Sequence, residues 1–418
     1  MKFLLKSLKK LMPESNISKK LPNLKLNTYE FIDIKDWCYT VSNITKLFQE
    51  KRTWIKFSKD KKIKLKKPDY YQDKTSLDIL LSHKTVGMRL KDLIKGRKII
   101  GSKIAHLDNV FIQDDKIPIF LKPNLALTES YGSSEWLNFQ LNKWNDKNNY
   151  KESKIYIKKK KYLHTRVKLL QIDKEKKVKY INRGILLSSV NDNNFFHWIF
   201  DTLSKMKLIK LSKEFEKIPI IIRSKPNKYQ KELLKIFKIK NKIITTNKKD
   251  IFIKDLYFPS LPSPPIYDLD TINWIREIFL NHQIKKSSFP SSKRIYISRE
   301  DASHRKVRNC SKIYVYLKDL GFTKHILSKI SIDEQIELFK NAEIVVMPHG
   351  SNCLHMVYAP KKCKFIEFQS PSQINNMFAC MSLILKQKYG FLIGKNEDRN
   401  NNYDISLKNL EKIMQKVL

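Results

Sequence analysis

The most constraining feature of this sequence is a regular alternation of short hydrophobic runs and amphipathic segments between about residues 184 and 370. Runs such as IPIIIRS, KRIYISR and EIVVMP have the length and the β-branched content of buried strands. The segments between them, such as NKYQKELLKIFKI and SIDEQIELFKNA, carry apolar residues at helical spacing. Strands that alternate with helices in this way indicate parallel sheets covered on both faces, so the sequence predicts an α/β fold.

The alternating elements fall into two blocks, which are separated near residues 260–290 after the proline-rich stretch PSLPSPPIYD. We therefore predict two Rossmann-like domains that face a cleft, one over residues 91–285 and one over residues 286–418. Residues 1–90 are rich in lysine and irregular, and they are predicted to form a basic N-terminal extension. A chain of 418 residues is long enough to bury the cores that this arrangement needs.

The formal charge of the chain is +42, from 83 basic and 41 acidic residues, which suggests a nucleic-acid or polyanion partner. The excess is mostly lysine in a chain that is also rich in Asn and Ile, a composition typical of A- and T-rich coding. Charge runs of this kind usually lie on solvated surface, so we predict no specific nucleic-acid partner. The alternative is a basic nucleic-acid or polyanion-binding protein on an inactive α/β scaffold.

The sequence also bears on the compartment. The five cysteines have no CxxC spacing, which predicts neither a zinc site nor a disulfide framework and fits a reducing compartment. No run of about 18 apolar residues is present. Residues 1–12 place leucines on one helical face and lysines on the other, which predicts either a peripheral membrane contact or a helix packed on the body. We predict a cytoplasmic protein, peripheral at the inner face of the membrane; a membrane-surface scaffold is a further alternative.

Arginine is scarce, with 12 residues in the whole chain, and four of these lie in one window: Arg294, Arg299, Arg305 and Arg308. Arg299 ends a predicted strand, and the next two arginines lie in the loop before a helix that is predicted to begin near Asn309. Ligands of open α/β sheets bind at the carboxyl ends of strands, and the planar guanidinium suits phosphate. The cluster therefore predicts a diphosphate site, or else a basic loop that contacts only water.

Two further features lie at predicted strand ends. Gly350, one of 9 glycines, stands where a strand turns into a helix-like segment, and the N–H groups of Gly350, Ser351 and Asn352 are predicted to point at an anion. The alternative is a tight turn that uses glycine for its own geometry. Glu367 lies in the apolar strand CKFIEFQ, where a carboxylate is costly unless it is paired. It is predicted to accept the hydroxyls of a ribose, or to be an outward-facing edge charge.

A candidate base lies in the stretch NFFHWIFD. His197 and Asp201 are four residues apart and share a helix face, and the helix is predicted to be capped by Asn193 or Asn194. A histidine beside a carboxylate can act as a general base, and either of the two could take that role. Asn194 and Trp198 are the predicted acceptor-side neighbours. The alternative is a core histidine that packs beside the aromatic residues.

Taken together, four stretches resemble the pattern of glycosyltransferase family 61. They are NFFHWIFDTLSKM, RIYISREDASHRKVRN, SIDEQIELFKNAEIVVMPHGSNCLHMVYAP and FIEFQ, and their order and spacing match over about residues 183–370. No G-x-G-x-x-G motif or P-loop is present, which argues against a nicotinamide enzyme or an NTPase. The resemblance implies a GT-B fold and an inverting transfer from a nucleotide sugar, UDP-linked by default, without a bound metal or other cofactor. The implied acceptor is a glycan or a lipid-linked glycan in surface or capsular polysaccharide synthesis.

The resemblance also implies roles for the donor-side residues. Arg299 and Arg305 would face the donor diphosphate, and Glu367 would face the ribose. The three residues His349, Gly350 and Ser351 would line the phosphate and the sugar. The sequence departs from the family at Ser351, where alanine is usual.

On the acceptor side, the resemblance places His197 and Asp201 across the cleft from the donor. Here the sequence departs from the family at Ser204, where proline is common, and at Lys205, where arginine often follows. These departures affect the acceptor-side details and leave the predicted fold unchanged.

Overall fold

The structure is a computed structural model of the 418-residue chain. It describes residues 29–85, 88–99, 101–112, 119–122, 125–127, 129, 156–157, 163–165, 178–189, 191–247, 249–260, 267–284 and 292–418. The predicted membrane-contact segment, residues 1–12, lies outside the described residues, as does the polar stretch 145–154. No helix in the described part of the chain is both long and apolar enough to span a bilayer.

The chain divides into two compact units, and each of them is assembled from two separate stretches. Residues 1–60 and 100–263 form the first unit, and residues 61–99 and 264–418 form the second. The second unit therefore includes part of the segment that was predicted to be a basic extension. The predicted domain boundaries after residues 90 and 285 stay predictions.

The first unit is built around a mixed sheet to which twelve of the described strands belong. Four of these run parallel and are labelled β1 (Lys179–Leu186), β2 (Ile220–Ile222), β3 (Ile243–Thr245) and β4 (Ile251–Ser260). Their order across the sheet is β4, β1, β2, β3, and β4 also pairs antiparallel with Lys103–Ile112. The remaining strands are Tyr29–Ile32, Tyr39–Thr40, Thr53–Lys56, Ile119–Lys122, Leu125–Leu127, Tyr156–Ile157 and Leu163–Thr165.

The helical stretch after β1 changes its hydrogen-bond spacing along its length. It runs as an α-helical turn (Phe195–His197), a π-helix (Trp198–Thr202), a 3-10 turn (Leu203–Lys205) and a final α-helical turn (Met206–Ile209). Such π-helical turns are rare and often mark functional sites. The other helices described in this unit are Ile34–Trp37, Ile44–Gln49, Lys213–Glu216 and Lys228–Ile236.

The main sheet of the second unit has six strands, and all of them run parallel. Five are labelled β5 (Arg294–Ile297), β6 (Thr323–His325), β7 (Ile344–Pro348), β8 (Lys364–Gln369) and β9 (Lys388–Ile393). The order across the sheet is β6, β5, β7, β8, β9, and the short strand Tyr70–Tyr71 completes the edge beside β9. Two small antiparallel pairs join Lys61–Ile63 to Arg97–Ile99 and Lys84–Thr85 to Met88–Arg89.

Helices cover this parallel sheet, and local sequence signals set their ends. Ser331 and Glu334 form a reciprocal capping box at the start of Ile332–Lys340, which satisfies backbone donors that the first turn leaves free. The α-helices are Lys74–Ser82, Leu90–Lys95, Leu269–Leu280, Cys310–Asp319, Ile332–Lys340, Met377–Ile384 and Leu407–Val417, and the 3-10 helices are Leu327–Lys329, Ser351–Val357 and Pro371–Gln373. The predicted α/β class with parallel sheets is confirmed.

The edge strand Tyr70–Tyr71 is held closely against β9. Asp69 exchanges backbone and side-chain hydrogen bonds with Tyr389: its N–H donates to the Tyr389 carbonyl at 2.7 Å, and its Oδ2 accepts from the Tyr389 N–H at 3.1 Å. A Cβ on Gly390 would stand 2.6 Å from the Cβ of Tyr70, so a glycine is needed for this approach. Residues 61–99 are therefore an integral part of the second unit.

Each unit has one place where its strand order reverses. In the first unit the chain moves from β1 outward to β2 and β3 and returns to place β4 on the other side of β1. In the second unit it moves from β5 to β6 and returns to place β7 on the other side of β5. The crevice outside the carboxyl ends of such strand pairs is where open α/β sheets bind ligands. The topology therefore points to the ends of β1 and β4 in one unit and of β5 and β7 in the other.

Candidate functional site

The reversal point of the second unit brings together two residues that the sequence analysis singled out separately. Arg299 follows β5, and Gly350 follows β7. A Cβ on Gly350 would stand 2.0 Å from Nη1 of Arg299, so the guanidinium lies over the glycine backbone. The φ of Gly350 is 167°, which is extended backbone that any residue can adopt. The glycine leaves room for the Arg299 guanidinium in its present position, and its backbone conformation does not require glycine.

Arg305 joins Arg299 at this edge. The pKa of Arg305 is lowered, first because burial disfavours its charge and next because the positive charge of Arg299 lies close to it. The Nε atom of each arginine is buried and has no hydrogen-bond partner among the described residues, and no described carboxylate forms an ion pair with either. Two like charges thus lie close together, neither in an ion pair among the described residues, and Arg305 has a φ of 58°, which is unusual for a non-glycine residue.

The other two arginines of the cluster are used within the protein. Arg308 donates to the carboxylate of Asp404 at 2.8 Å and to the carbonyl of Asn396. Arg294 donates from Nη1 to the carbonyl of Leu320 at 2.6 Å. The four arginines therefore divide into two that hydrogen-bond within the protein and two whose Nε atoms have no hydrogen-bond partner among the described residues.

The residues that follow Gly350 begin a short 3-10 helix. Ser351 and Asn352 are both half-buried at its first two positions, and the helix runs over Ser351–Val357. With seven residues in a 3-10 geometry, it is shorter and tighter than the helix that the sequence suggested. The predicted anion contact of these N–H groups stays a prediction.

The far end of this 3-10 helix is held by an arginine that the sequence analysis did not single out. Arg276 donates from Nη1 to the carbonyls of Val357 and Ala359, at 2.6 and 2.5 Å. Gln387 donates to the carbonyl of Met356 at 2.8 Å. The last carbonyls of a helix lack intrahelical partners, so these contacts fix the helix that begins at the candidate donor site.

His349 and Glu367 form a buried pair. Nδ1 of His349 lies 2.5 Å from Oε1 of Glu367, and the hydroxyl of Tyr389 donates to Oε2 of Glu367 at 2.6 Å. Glu367 is 0% exposed, so the carboxylate that was predicted to face a ribose is enclosed by the protein. Its ribose contact stays a prediction. Tyr389 carries no sequence signal that distinguishes it from any other strand residue.

In the first unit, the stretch after β1 carries the candidate base. Asn194 caps the helix by accepting from the N–H groups of Phe196 and His197, so the predicted cap is confirmed. Nδ1 of His197 lies 2.6 Å from Oδ2 of Asp201, and their side chains are 18% and 17% exposed. The predicted pairing of these two residues on one helix face is therefore present.

Trp198 lies next to this pair but points into the core, being 2% exposed, and its Nε1 is buried without a hydrogen-bond partner among the described residues. The side chain is therefore part of the core. Its predicted acceptor contact stays a prediction.

A buried lysine supports the same stretch and was noted in the sequence only as a departure from the family. Nζ of Lys205 donates to the carbonyls of Leu187 and Ser188, at 3.0 and 3.3 Å, just beyond the end of β1. Burial lowers the pKa of Lys205 to about 8, while the charges of Asp192 and Asp201 act in the opposite direction. The lysine thus ties the loop after β1 to the helix that carries the candidate base.

Residues 195–366 match the model of the family described as Glycosyltransferase 61. This stretch of the chain is similar to glycosyltransferase family 61. The matched region includes His197 and Asp201 at one end and the residues from Arg299 to Asn352 toward the other. No curated protein was found to match the chain. The match confirms the predicted resemblance and the predicted enzyme class, a glycosyltransferase, and this family implies in general a sugar donor and an acceptor.

Proposed function

We propose that this family 61 enzyme has a GT-B architecture and inverts the anomeric centre. It transfers a sugar from a nucleotide sugar, UDP-linked by default, to a hydroxyl of a glycan or lipid-linked glycan acceptor. Surface or capsular polysaccharide synthesis is the proposed setting, in the cytoplasm at the inner face of a membrane. The observation that carries the donor assignment is the pair Arg299 and Arg305: their buried Nε atoms have no hydrogen-bond partner among the described residues, and Arg299 lies over Gly350.

The charge of this pair is what favours a nucleoside diphosphate. Burying a guanidinium is costly unless it is paired, and a ligand with several anionic oxygens would supply the missing partners. Arginine offers two parallel N–H groups to phosphate, which gives strong and directional contacts. The strand order reverses between β5 and β7, and both arginines follow β5; since open α/β sheets bind ligands at such a reversal, this supports the proposal. His349, Gly350, Ser351 and Asn352 follow β7 and are proposed to line the phosphate and the sugar.

The proposed reaction needs a base for the acceptor and support for the leaving group. His197 holds Asp201 through Nδ1, so its Nε2 is the atom proposed to take the acceptor proton, and Asp201 stabilises the imidazolium that forms. The acceptor oxygen forms a bond to the anomeric carbon as the bond from that carbon to the diphosphate breaks. The nucleoside diphosphate leaves with the electron pair, and Arg299 and Arg305 stabilise its developing charge.

The donor assignment is tested by thermal shift with UDP, GDP and their sugar conjugates at low and high salt. A ligand that binds only the folded state raises the melting temperature in a saturable way, following RT ln(1 + [L]/Kd). We expect one nucleotide to do so and Arg305→Ala to abolish the shift. Steep loss of binding in salt with no effect of Arg305→Ala would instead indicate general polyanion binding.

Metal independence is a separate part of the proposal. The two arginines are proposed to supply the counter-charge that a divalent cation supplies to the diphosphate in other transferases. Sugar transfer should therefore continue in excess EDTA at an unchanged rate. Loss of transfer in EDTA, restored by Mn²⁺ or Mg²⁺, would contradict this part and leave the donor assignment standing.

A further inference from the structure

A chain of hydrogen bonds crosses three neighbouring strand positions in the second unit. Tyr389 on β9 donates its hydroxyl to Oε2 of Glu367 on β8 at 2.6 Å, and Oε1 of Glu367 lies 2.5 Å from Nδ1 of His349, which directly follows β7. Glu367 is 0% exposed, and the side chain of His349 is 9% exposed. The carboxylate is thus fixed on both oxygens, and only the histidine end of the chain reaches solvent.

The chemistry of the three groups sets the proton positions. When Glu367 is ionised its carboxylate only accepts hydrogen bonds; in that state Nδ1 of His349 carries a proton and the Tyr389 hydroxyl donates. In the neutral imidazole, Nε2 is then left as an acceptor, and in the charged imidazolium it is a donor. Within the described part of the chain, Nε2 has no hydrogen-bond partner of its own. Among the three hydrogen-bonded side chains, Nε2 of His349 is thus the atom available to contact a ligand.

The buried carboxylate lies in the same small region as the arginine pair without being bound to it. The charges of Glu367 and of the two arginines all influence the pKa of the Cys353 thiol. Sγ of Cys353 lies 3.9 Å from Oε1 of Glu367. Burial and then Glu367 raise the pKa of this thiol, and Arg299 and Arg305 oppose them. The region therefore holds two positive charges and one enclosed negative charge around the end of β7.

We infer that Glu367 and Tyr389 are positioning residues that orient His349 toward the donor diphosphate, and that Glu367 does not bind the ribose. The inference rests on the proposed donor site and specifies how it is built. Glu367 fixes the Nδ1 proton, and Tyr389 fixes Glu367. His349 is then held with Nε2 at the edge where Arg299 and Gly350 meet the ligand.

The two possible roles of Glu367 can be distinguished by comparing nucleotides that differ only in the ribose. We would measure the affinity of UDP and 2′-deoxy-UDP for the parent protein, Glu367→Gln, Tyr389→Phe and His349→Ala. A positioning role predicts that Tyr389→Phe weakens both nucleotides by the same factor, about three- to tenfold for one lost hydrogen bond. A ribose contact predicts that Glu367→Gln weakens UDP by a larger factor than 2′-deoxy-UDP, which lacks one of the two hydroxyls, and that result would overturn the inference.

A double-mutant cycle supplies the second criterion. If Tyr389 acts through His349, then Tyr389→Phe should change UDP affinity less than about twofold once His349→Ala is present, because coupled residues are not additive. Additive losses would contradict the inference. Glu367→Gln is nearly isosteric but lies in the core; should it fail to fold, Tyr389→Phe, which keeps the aromatic ring, still decides the question.

The last measurement does not depend on any ligand. The ¹⁵N shifts of the His349 ring, assigned by comparison with His349→Ala, should show a protonated Nδ1 in the parent protein and a changed tautomer or charge state in Tyr389→Phe or Glu367→Gln. Unchanged ring shifts in both variants would overturn the positioning role even if nucleotides bind as proposed. Absence of nucleotide binding by the parent protein, with the ring shifts as expected, would refute the donor site and leave the hydrogen-bond chain intact.

Discussion

The guanidinium of Arg299 occupies the space that a side chain on residue 350 would need: Nη1 would stand 2.0 Å from a Cβ built on Gly350. The segments that follow the neighbouring strands β5 and β7 are therefore in contact, because the Arg299 side chain lies over the backbone of Gly350. The clash is with the end of a flexible side chain, so the backbone could accept a larger residue if the arginine moved. A substitution at residue 350 should therefore affect ligand binding without a comparable effect on folding.

Gly350→Ala should displace the Arg299 guanidinium and weaken nucleotide binding, while the melting temperature stays close to that of the parent. The loss should approach that of Arg299→Ala, because both changes remove the same guanidinium from its place. Titration calorimetry on both variants and on the double variant checks this. The double variant should bind no more weakly than Arg299→Ala; full additivity would mean that Gly350 contributes in another way.

Arg299→Ala and Arg305→Ala should each weaken nucleotide binding by about 1.5–3 kcal/mol, the range for hydrogen bonds to charged groups. Neither should lower the melting temperature, because each removes a half-buried charge that lacks an ion-pair partner among the described residues. Arg308→Ala is the matched control from the same loop. Since Arg308 is bound to Asp404, its loss should leave nucleotide affinity unchanged. Equal effects of all three changes would refute the division of the cluster.

His197→Ala and Asp201→Ala should each lower kcat with little change in nucleotide affinity, the base by about 10²–10⁴. His282→Ala is a matched control, because His282 also pairs with a carboxylate, Asp333, at 2.8 Å and similar exposure. Turnover, affinity and melting temperature should be measured on all three variants. If turnover per folded molecule stayed near that of the parent in the first two, the base would lie elsewhere.

Lys205 should make the free energy of unfolding depend on pH in an alkaline window. Burial lowers its pKa to about 8 in the folded state, and an unfolded lysine titrates near 10.4. Between these values the unfolded chain binds a proton that the folded protein has released, so unfolding becomes harder as the pH rises. The stability that this adds is complete above the unfolded value and is lost as the pH falls toward 8.

Urea unfolding of the parent and of Lys205→Met between pH 7.5 and 10.5 would measure the contribution of Lys205, as the difference between their free energies of unfolding at each pH. The parent should gain on the order of 3 kcal/mol relative to the variant across the window. Lys213→Met, which changes an exposed lysine after the same helical stretch, should show no such gain. A parallel pH dependence of parent and Lys205→Met would refute the buried charge.

Much of the fold could be predicted because its signals are local. The order of strands and helices from β1 onward follows the hydrophobic pattern, and Asn194 caps its helix as the sequence indicated. The end of β1 at Leu186 is not marked by the hydrophobic pattern, because the apolar run continues past the strand. There the N–H of Ser189 turns to bind Oδ1 of Asp192 at 2.7 Å, a contact that hydrophobic spacing does not reveal.

The candidate site was predicted less completely, because its key relationships are non-local. The sequence indicated that Gly350 permits a close approach, but only the structure shows Arg299 above it. Tyr389 could not be distinguished from other strand aromatics until the sheet placed it beside Glu367. The π-helical turn at Trp198–Thr202 changes the register of the following residues, so the burial of Lys205 does not follow from ordinary helical spacing.

The edge strand Tyr70–Tyr71 is synthesised long before the strand with which it pairs. Its partner, β9, lies roughly 320 residues later in the chain, at Lys388–Ile393. At the usual elongation rates of about 5–20 residues per second, the early segment leaves the ribosome about 15–60 s before that partner exists. During this interval residues 61–99 have no parallel sheet to join, while the rest of the first unit is being completed. We therefore expect ribosome-bound chains that end before β9 to keep this segment open to proteases and chaperones, and full-length chains to protect it.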